Sequence, residues 1–138
     1  MTLPIVVQEA NIPWATWPDA AIAARSAVVW KDLISGDRTA SHALSLGIGS
    51  ILPGHTLARH HHANPEVYYV LDGTGIVEIN AAMYPVSAGT AVFIPEHALH
   101  HMQNTGSTAL QFVYIFPVDS VQELVYQFVA EAPTEQPE

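Results

Sequence analysis

The stretch Gly54-His55-Thr56-Leu57-Ala58-Arg59-His60-His61-His62-Ala63-Asn64-Pro65-Glu66-Val67-Tyr68 is the one the rest of the chain serves. In it His60 and His62 stand two apart and Glu66 follows four later. On a strand, a period of two aims both imidazoles at the same face, and Asn64-Pro65 can turn the chain and return Glu66 beside them. Three metal ligands result. A fourth is on offer in His100, five residues after an apolar run, Ala91-Val92-Phe93-Ile94, that ends at Pro95. Imidazole and carboxylate together suit a divalent transition ion, with iron, manganese, nickel and zinc all compatible. By the same parity His60, His62, Glu66, Tyr68 and Val70 look inward, His61 and Tyr69 look outward, and His100 shares its face with Met102.

The flanking sequence fits an all-β chain. Ala27-Val28-Val29-Trp30, within Ser26 to Ile34, reads as a strand, and Leu44, Leu46 and Ile48 alternate with Ser45, Gly47 and Gly49 in a half-buried pattern. Val67 to Leu71 is apolar on both faces, and Asp72-Gly73-Thr74-Gly75 punctuates it as a hairpin into Ile76 to Ile79. Further short strands at Met83 to Val86, Ala91 to Ile94, His100 to Gln103 and Ala109 to Phe116 give the regular spacing of a barrel. Asp19 can cap a short helical turn in Ala20 to Ala24, and Ser120 with Glu123 has capping-box spacing before an extended Tyr126 to Val129. Trp14 and Trp17 are expected to cover a barrel end. The chain is thus expected to hold one domain, with an N-terminal arm over 1–25, a barrel over 26–129 and a disordered tail over 130–138.

Composition narrows the partners. The net charge is −9, with Arg25, Lys31, Arg38 and Arg59 the four cations, which repels nucleic acid and anionic membranes. Charged residues make up only 12% of the chain and hydrophobic ones 49%, so part of its surface is expected to meet a second subunit, giving a homodimer. There is no cysteine, hence no disulfide and no thiolate ligand. Met1 to Ala10 lacks the basic start and apolar core of a signal peptide, which points to the cytoplasm.

Spacing carries the reading further. Gly54, His60, His62, Glu66 and Gly73, followed by Gly89, Pro95, His100 and Asn104, resemble both motifs of the cupin family position by position. The resemblance implies a double-stranded β-helix, or jelly-roll barrel, with His60, His62, Glu66 and His100 holding the metal. His97 departs from the pattern, for the family's second motif usually has glycine there. Trp30-Lys31-Asp32-Leu33-Ile34, Leu44-Ser45-Leu46-Gly47, Tyr68, Asn104, and Ile115-Phe116-Pro117 with Asp119 and Tyr126 are similar to the DddK-type cupin lyases of dimethylsulfoniopropionate. That resemblance implies that Tyr68 is the base and that Tyr126 lies beside the substrate. Trp14, Trp17, Tyr114 and Tyr126 are then available to attract a sulfonium. A non-haem iron dioxygenase, an isomerase or decarboxylase, and a non-catalytic ligand-binding cupin use the same residues and stay open.

Overall fold

A computed structural model of the chain describes residues 3–129. The tail expected to be disordered, 130–138, lies outside them. A short helix, α1 (Ala20–Arg25), precedes ten strands: β1 (Val28–Ile34), β2 (Ser45–Ile51), β3 (Thr56–His61), β4 (Glu66–Asp72), β5 (Thr74–Ile79), β6 (Ala82–Ser87), β7 (Ala91–Ile94), β8 (His100–Asn104), β9 (Leu110–Phe116) and β10 (Gln127–Phe128). They form two five-stranded antiparallel sheets, ordered β1-β2-β9-β4-β7 and β10-β3-β8-β5-β6. The sheets face each other around one core that includes Ile51, Val70, Val77, Ile94, Met102, Leu110 and Phe112. This is the single-domain all-β jelly roll that the resemblance implies.

The expected hairpin at Asp72 to Gly75 is a corner between sheets instead. β4 pairs with β7 and β9, whereas β5 pairs with β6 and β8. Gly73 makes the corner possible: its φ is +90°, and a Cβ there would lie 2.6 Å from the Ala109 carbonyl oxygen. Turn punctuation alone does not say which strand the chain will pair with next. The two-residue hairpin falls one strand later, between β5 and β6, where Asn80 and Ala81 have φ of 48° and 72° as a type I′ turn requires.

β2 alternates, but its small residues are the ones that face the interior. Gly47 lies opposite Tyr114 and Gly49 opposite Phe112, and a Cβ on either glycine would strike the facing ring, at 2.2 Å and 2.4 Å respectively. The aromatic side chains of β9 fill the space the glycines leave, so Leu46 and Ile48 lie on the opposite face of β2, where Leu46 is half-buried and Ile48 is still buried.

The ends of the chain wrap the barrel. Asp19 caps α1, its Oδ1 accepting from the Ala21 and Ile22 N–H groups at 2.8 and 3.2 Å. Ala15 pairs with Trp30, extending the edge of β1, and the Lys31 ammonium lies 4.6 Å from the centre of the Trp14 ring and donates to the Glu9 carbonyl at 3.2 Å. Past β9, the Ser120–Glu123 capping box forms around a single 3₁₀ turn. The strap beyond it carries Tyr126 and β10 across the barrel mouth, where Phe128 pairs with His60. No helix among the described residues is long and apolar enough to cross a membrane.

Candidate metal centre and its cavity

β3 and β8 lie side by side with His60 opposite His100, and β4 enters the other sheet at Glu66. The imidazoles of His60, His62 and His100 converge, each offering a ring nitrogen within 4.8 Å of the others, and all three residues are buried. Their second nitrogens fix the tautomer. Nδ1 of His60, His62 and His100 lies 2.6, 2.8 and 2.8 Å from the carbonyl oxygens of Ala58, Asn64 and Ala98. A carbonyl only accepts, so each Nδ1 carries the hydrogen and each Nε2 presents its lone pair inward.

Two of those lone pairs, on His62 and His100, find no donor among the described residues. His62 Nε2 and His100 Nε2 lie 3.3 and 3.4 Å from Glu66 Oε1, and all three atoms are buried without a hydrogen-bond partner among the described residues. Lone pairs aimed at a carboxylate oxygen in a dry interior cost free energy unless a cation stands between them. The donor set therefore fits a divalent ion, with the backbone carbonyls holding the rings in the orientation a metal needs. Burial, then the neighbouring His100, holds His60 well below the usual imidazole pKa, which keeps it neutral and able to ligate.

All six residues singled out in the sequence meet in this region. His60, Glu66, Tyr68 and Tyr126 line a largely apolar cavity of about 510 Å³. Tyr68 is fully buried, and the Tyr126 ring lies 5.3 and 5.4 Å from the rings of His60 and His62. Burial above all, then the Glu66 carboxylate, raises the Tyr68 pKa well above the ordinary phenol value, and the same two causes raise Tyr126. Of the tryptophans, Trp17 lines the cavity, packed at 4.8 Å on Trp30 and 5.2 Å on Tyr126. Trp14 does not, being taken up by Lys31 on the outside.

The motif residues that hold no ligand have structural duties. Asn104 Nδ2 donates to the Ile51 and Thr108 carbonyls, both at 2.8 Å, and its Oδ1 accepts from Gly106 N–H, stapling the end of β8 to two loops. His97, standing where the family has glycine, has a φ of 62°, and its N–H donates to the His62 carbonyl at 2.8 Å. The turn is thus tied to the segment that carries His62, in the left-handed conformation that glycine adopts without strain.

Trp30 and Asp32, part of the lyase resemblance in the sequence but given no site role there, also line the cavity. The signal was available. Val28, Trp30 and Asp32 are two apart on β1 and share one face, as His60 and His62 do.

Two facing sheets with three imidazoles and a carboxylate turned into their interior define a small β-barrel with a candidate metal centre. The chain belongs to the cupin family, whose Cupin domain model matches residues 47–116. It is 35% identical over 129 residues to the dimethylsulfoniopropionate lyase DddW of Ruegeria pomeroyi, covering 94% of this chain and 82% of that one. In fold it is similar to a predicted oxalate decarboxylase from Thermotoga maritima, with a TM-score of 0.68 at 24% identity over 83% of this chain and 99% of that one. It is likewise similar to the cupin-2 domain protein Rru_A2000 of Rhodospirillum rubrum, with a TM-score of 0.73 at 18% identity over 95% and 84%.

Proposed function

We propose that the protein is a metal-dependent carbon–sulfur lyase that cleaves dimethylsulfoniopropionate to dimethyl sulfide and acrylate. The observation that carries the reading is the similarity to DddW along nearly the whole chain, joined to a cavity that sets two tyrosines against the histidine cluster. His60, His62, Glu66 and His100 are the ligands of one divalent ion, with iron, manganese, nickel and zinc the candidates. Bound there, the ion supplies a Lewis acid for the substrate carboxylate and a positive charge that offsets the Glu66 contribution to the raised Tyr68 pKa.

Tyr68 then takes the proton from the carbon next to the carboxylate. The C–H electron pair becomes the new carbon–carbon double bond, the carbon–sulfur bond breaks, and sulfur leaves with its electrons as neutral dimethyl sulfide. Tyr126, half-buried beside His60 and His62, bounds the space in which the substrate is held. The largely apolar wall excludes water and favours elimination over side reactions.

Headspace dimethyl sulfide, measured after loading the protein with each ion in turn, tests the reading. Release of dimethyl sulfide and acrylate in equal amounts is expected with at least one ion. Silence with all four ions would overturn it, and oxygen uptake with Fe²⁺ would then identify a dioxygenase.

We also propose a homodimer. Tyr69, Leu71 and Phe93 are exposed on the outer face of β4 and β7, at 46, 43 and 65%, a cluster that a second copy would cover. Light scattering is expected to give twice the chain mass of 14.9 kDa at micromolar concentration. A monomer would contradict it.

A further inference from the structure

The cavity contains a second carboxylate that metal binding does not use. Asp32 lines it from β1, with Trp30 two residues before it on the same face. The group is held by design of the neighbouring strands: the Tyr114 hydroxyl, itself on the cavity wall, donates to Asp32 Oδ1 at 2.5 Å. To reach it, the Tyr114 ring crosses β2 at Gly47, where any side chain would collide. A glycine and a tyrosine on two other strands thus serve to place one carboxylate.

On the cavity side its setting lacks a counter-charge: Arg38 reaches Asp32 from the exposed side, where its guanidinium donates to the Asp32 backbone carbonyl. Among the described residues neither Lys nor Arg lines the cavity, and the adjacent Lys31 sends its ammonium to the opposite side, onto Glu9 and Trp14. Trp17, Trp30 and Tyr126 line the same cavity. Burial, the largest cause, raises the Asp32 carboxyl above its usual range, and a cation brought beside it would relieve that penalty. A carboxylate walled by aromatic rings is the chemistry that recognises an onium group. Asp32 and Glu66 line the same cavity as Tyr126, which sets the two carboxylates around one space.

We propose that Asp32 is the specificity residue of the cavity: it receives the positively charged onium end of a zwitterionic substrate whose carboxylate end meets the histidine centre. The placement of that second end rests on the metal-site reading above. Asp32 touches no reacting bond; it selects and orients.

The test is a pair of ligands differing only in charge. β-Alanine betaine has a poor leaving group and binds without turning over, and 4,4-dimethylpentanoate is its neutral carbon isostere. Titration calorimetry on the metal-loaded wild type is expected to show a preference for the betaine of about tenfold or more. In Asp32→Asn that preference falls towards unity, with metal content and the affinity for the neutral acid unchanged. If the single variant does not fold, Asp32→Asn combined with Tyr114→Phe, which removes the hydroxyl that needed the carboxylate, gives the same reading. A purely structural Asp32 would lower thermal stability and leave the ratio intact. An intact ratio in the variant, or no betaine preference in the wild type, overturns the proposal. Dimethyl sulfide release is scored separately: its absence beside a charge-dependent ratio retires only the lyase, and its presence beside a flat ratio retires only Asp32.

Discussion

Tyr68→Phe separates chemistry from packing. The Tyr68 ring is fully buried, edge-on to Phe112 at 5.1 Å and 6.4 Å from the His100 ring, so phenylalanine preserves every ring contact and removes one oxygen. As a core residue, Tyr68 would lose at most a hydrogen bond, about 1 kcal/mol of stability, with turnover near wild type. As the general base, it would lose about 10²-fold or more in kcat, equivalent to about 2.7 kcal/mol or more in the barrier. The pH profile adds a second readout. Burial and Glu66 raise the Tyr68 pKa, so the competent phenolate grows with pH, and wild-type activity is expected to climb on the alkaline side. Tyr68→Phe loses that rise. Headspace assays across pH at saturating metal, with metal analysis of the same samples, make the comparison. Near-wild-type turnover in the variant would refute the assignment, and Tyr126→Phe serves as the control in which KM is expected to move more than kcat.

Replacing His62 or Glu66 by Ala should remove most of the metal and keep the β-sheet circular dichroism; full metal content in both variants would remove them as ligands. His97→Gly relieves a left-handed φ of 62°, and urea unfolding should show a gain of about 0.5–1 kcal/mol after the extra freedom of glycine in the unfolded chain is counted. For the metal-free protein, His60 in the fold has a pKa below that of the unfolded chain, so as pH falls below about 6.5 the unfolded state takes up the proton first. Stability is then lost with falling pH, by up to about 1.4 kcal/mol per unit for this one group, as urea unfolding at pH 7.5 and 5.5 would show.

The histidine cluster was legible because it obeys a local rule. Period two on β3, a turn at Asn64-Pro65 and a second strand leading to His100 are all short-range patterns, and the interior received the residues that parity assigned to it. What escaped depends on partners distant in sequence. Leu44, Leu46 and Ile48 looked like the buried side of β2, but the rings of Phe112 and Tyr114 claim the space over Gly47 and Gly49, which leaves Leu44 exposed and Leu46 half-buried while Ile48 is buried. The Gly73 corner resembled a hairpin because turn residues specify a bend and leave the destination sheet open. For Asp32 the local parity placed the side chain on the face of Val28 and Trp30, but the hydroxyl that holds it lies 82 residues away and could not be read from the strand itself.

The strap across the mouth is fastened unevenly. At its start Asp119 accepts from Gly36 N–H through its carbonyl and from Ala43 N–H through Oδ1, both at 2.7 Å, and Ser45 Oγ donates to the Val118 carbonyl at 2.9 Å. At its end β10 is only two residues long, pairing with His61 and His60, with Trp17 packed at 5.1 Å on Phe128. Backbone amides at such a terminus exchange with solvent at a far lower free energy than those in the middle of a sheet. The wall carrying Tyr126 is therefore expected to open before the barrel does: deuterium uptake at Gln127 to Val129 should run ahead of that in β4, β8 and β9, an opening that leaves His60 paired with His100 across β3 and β8.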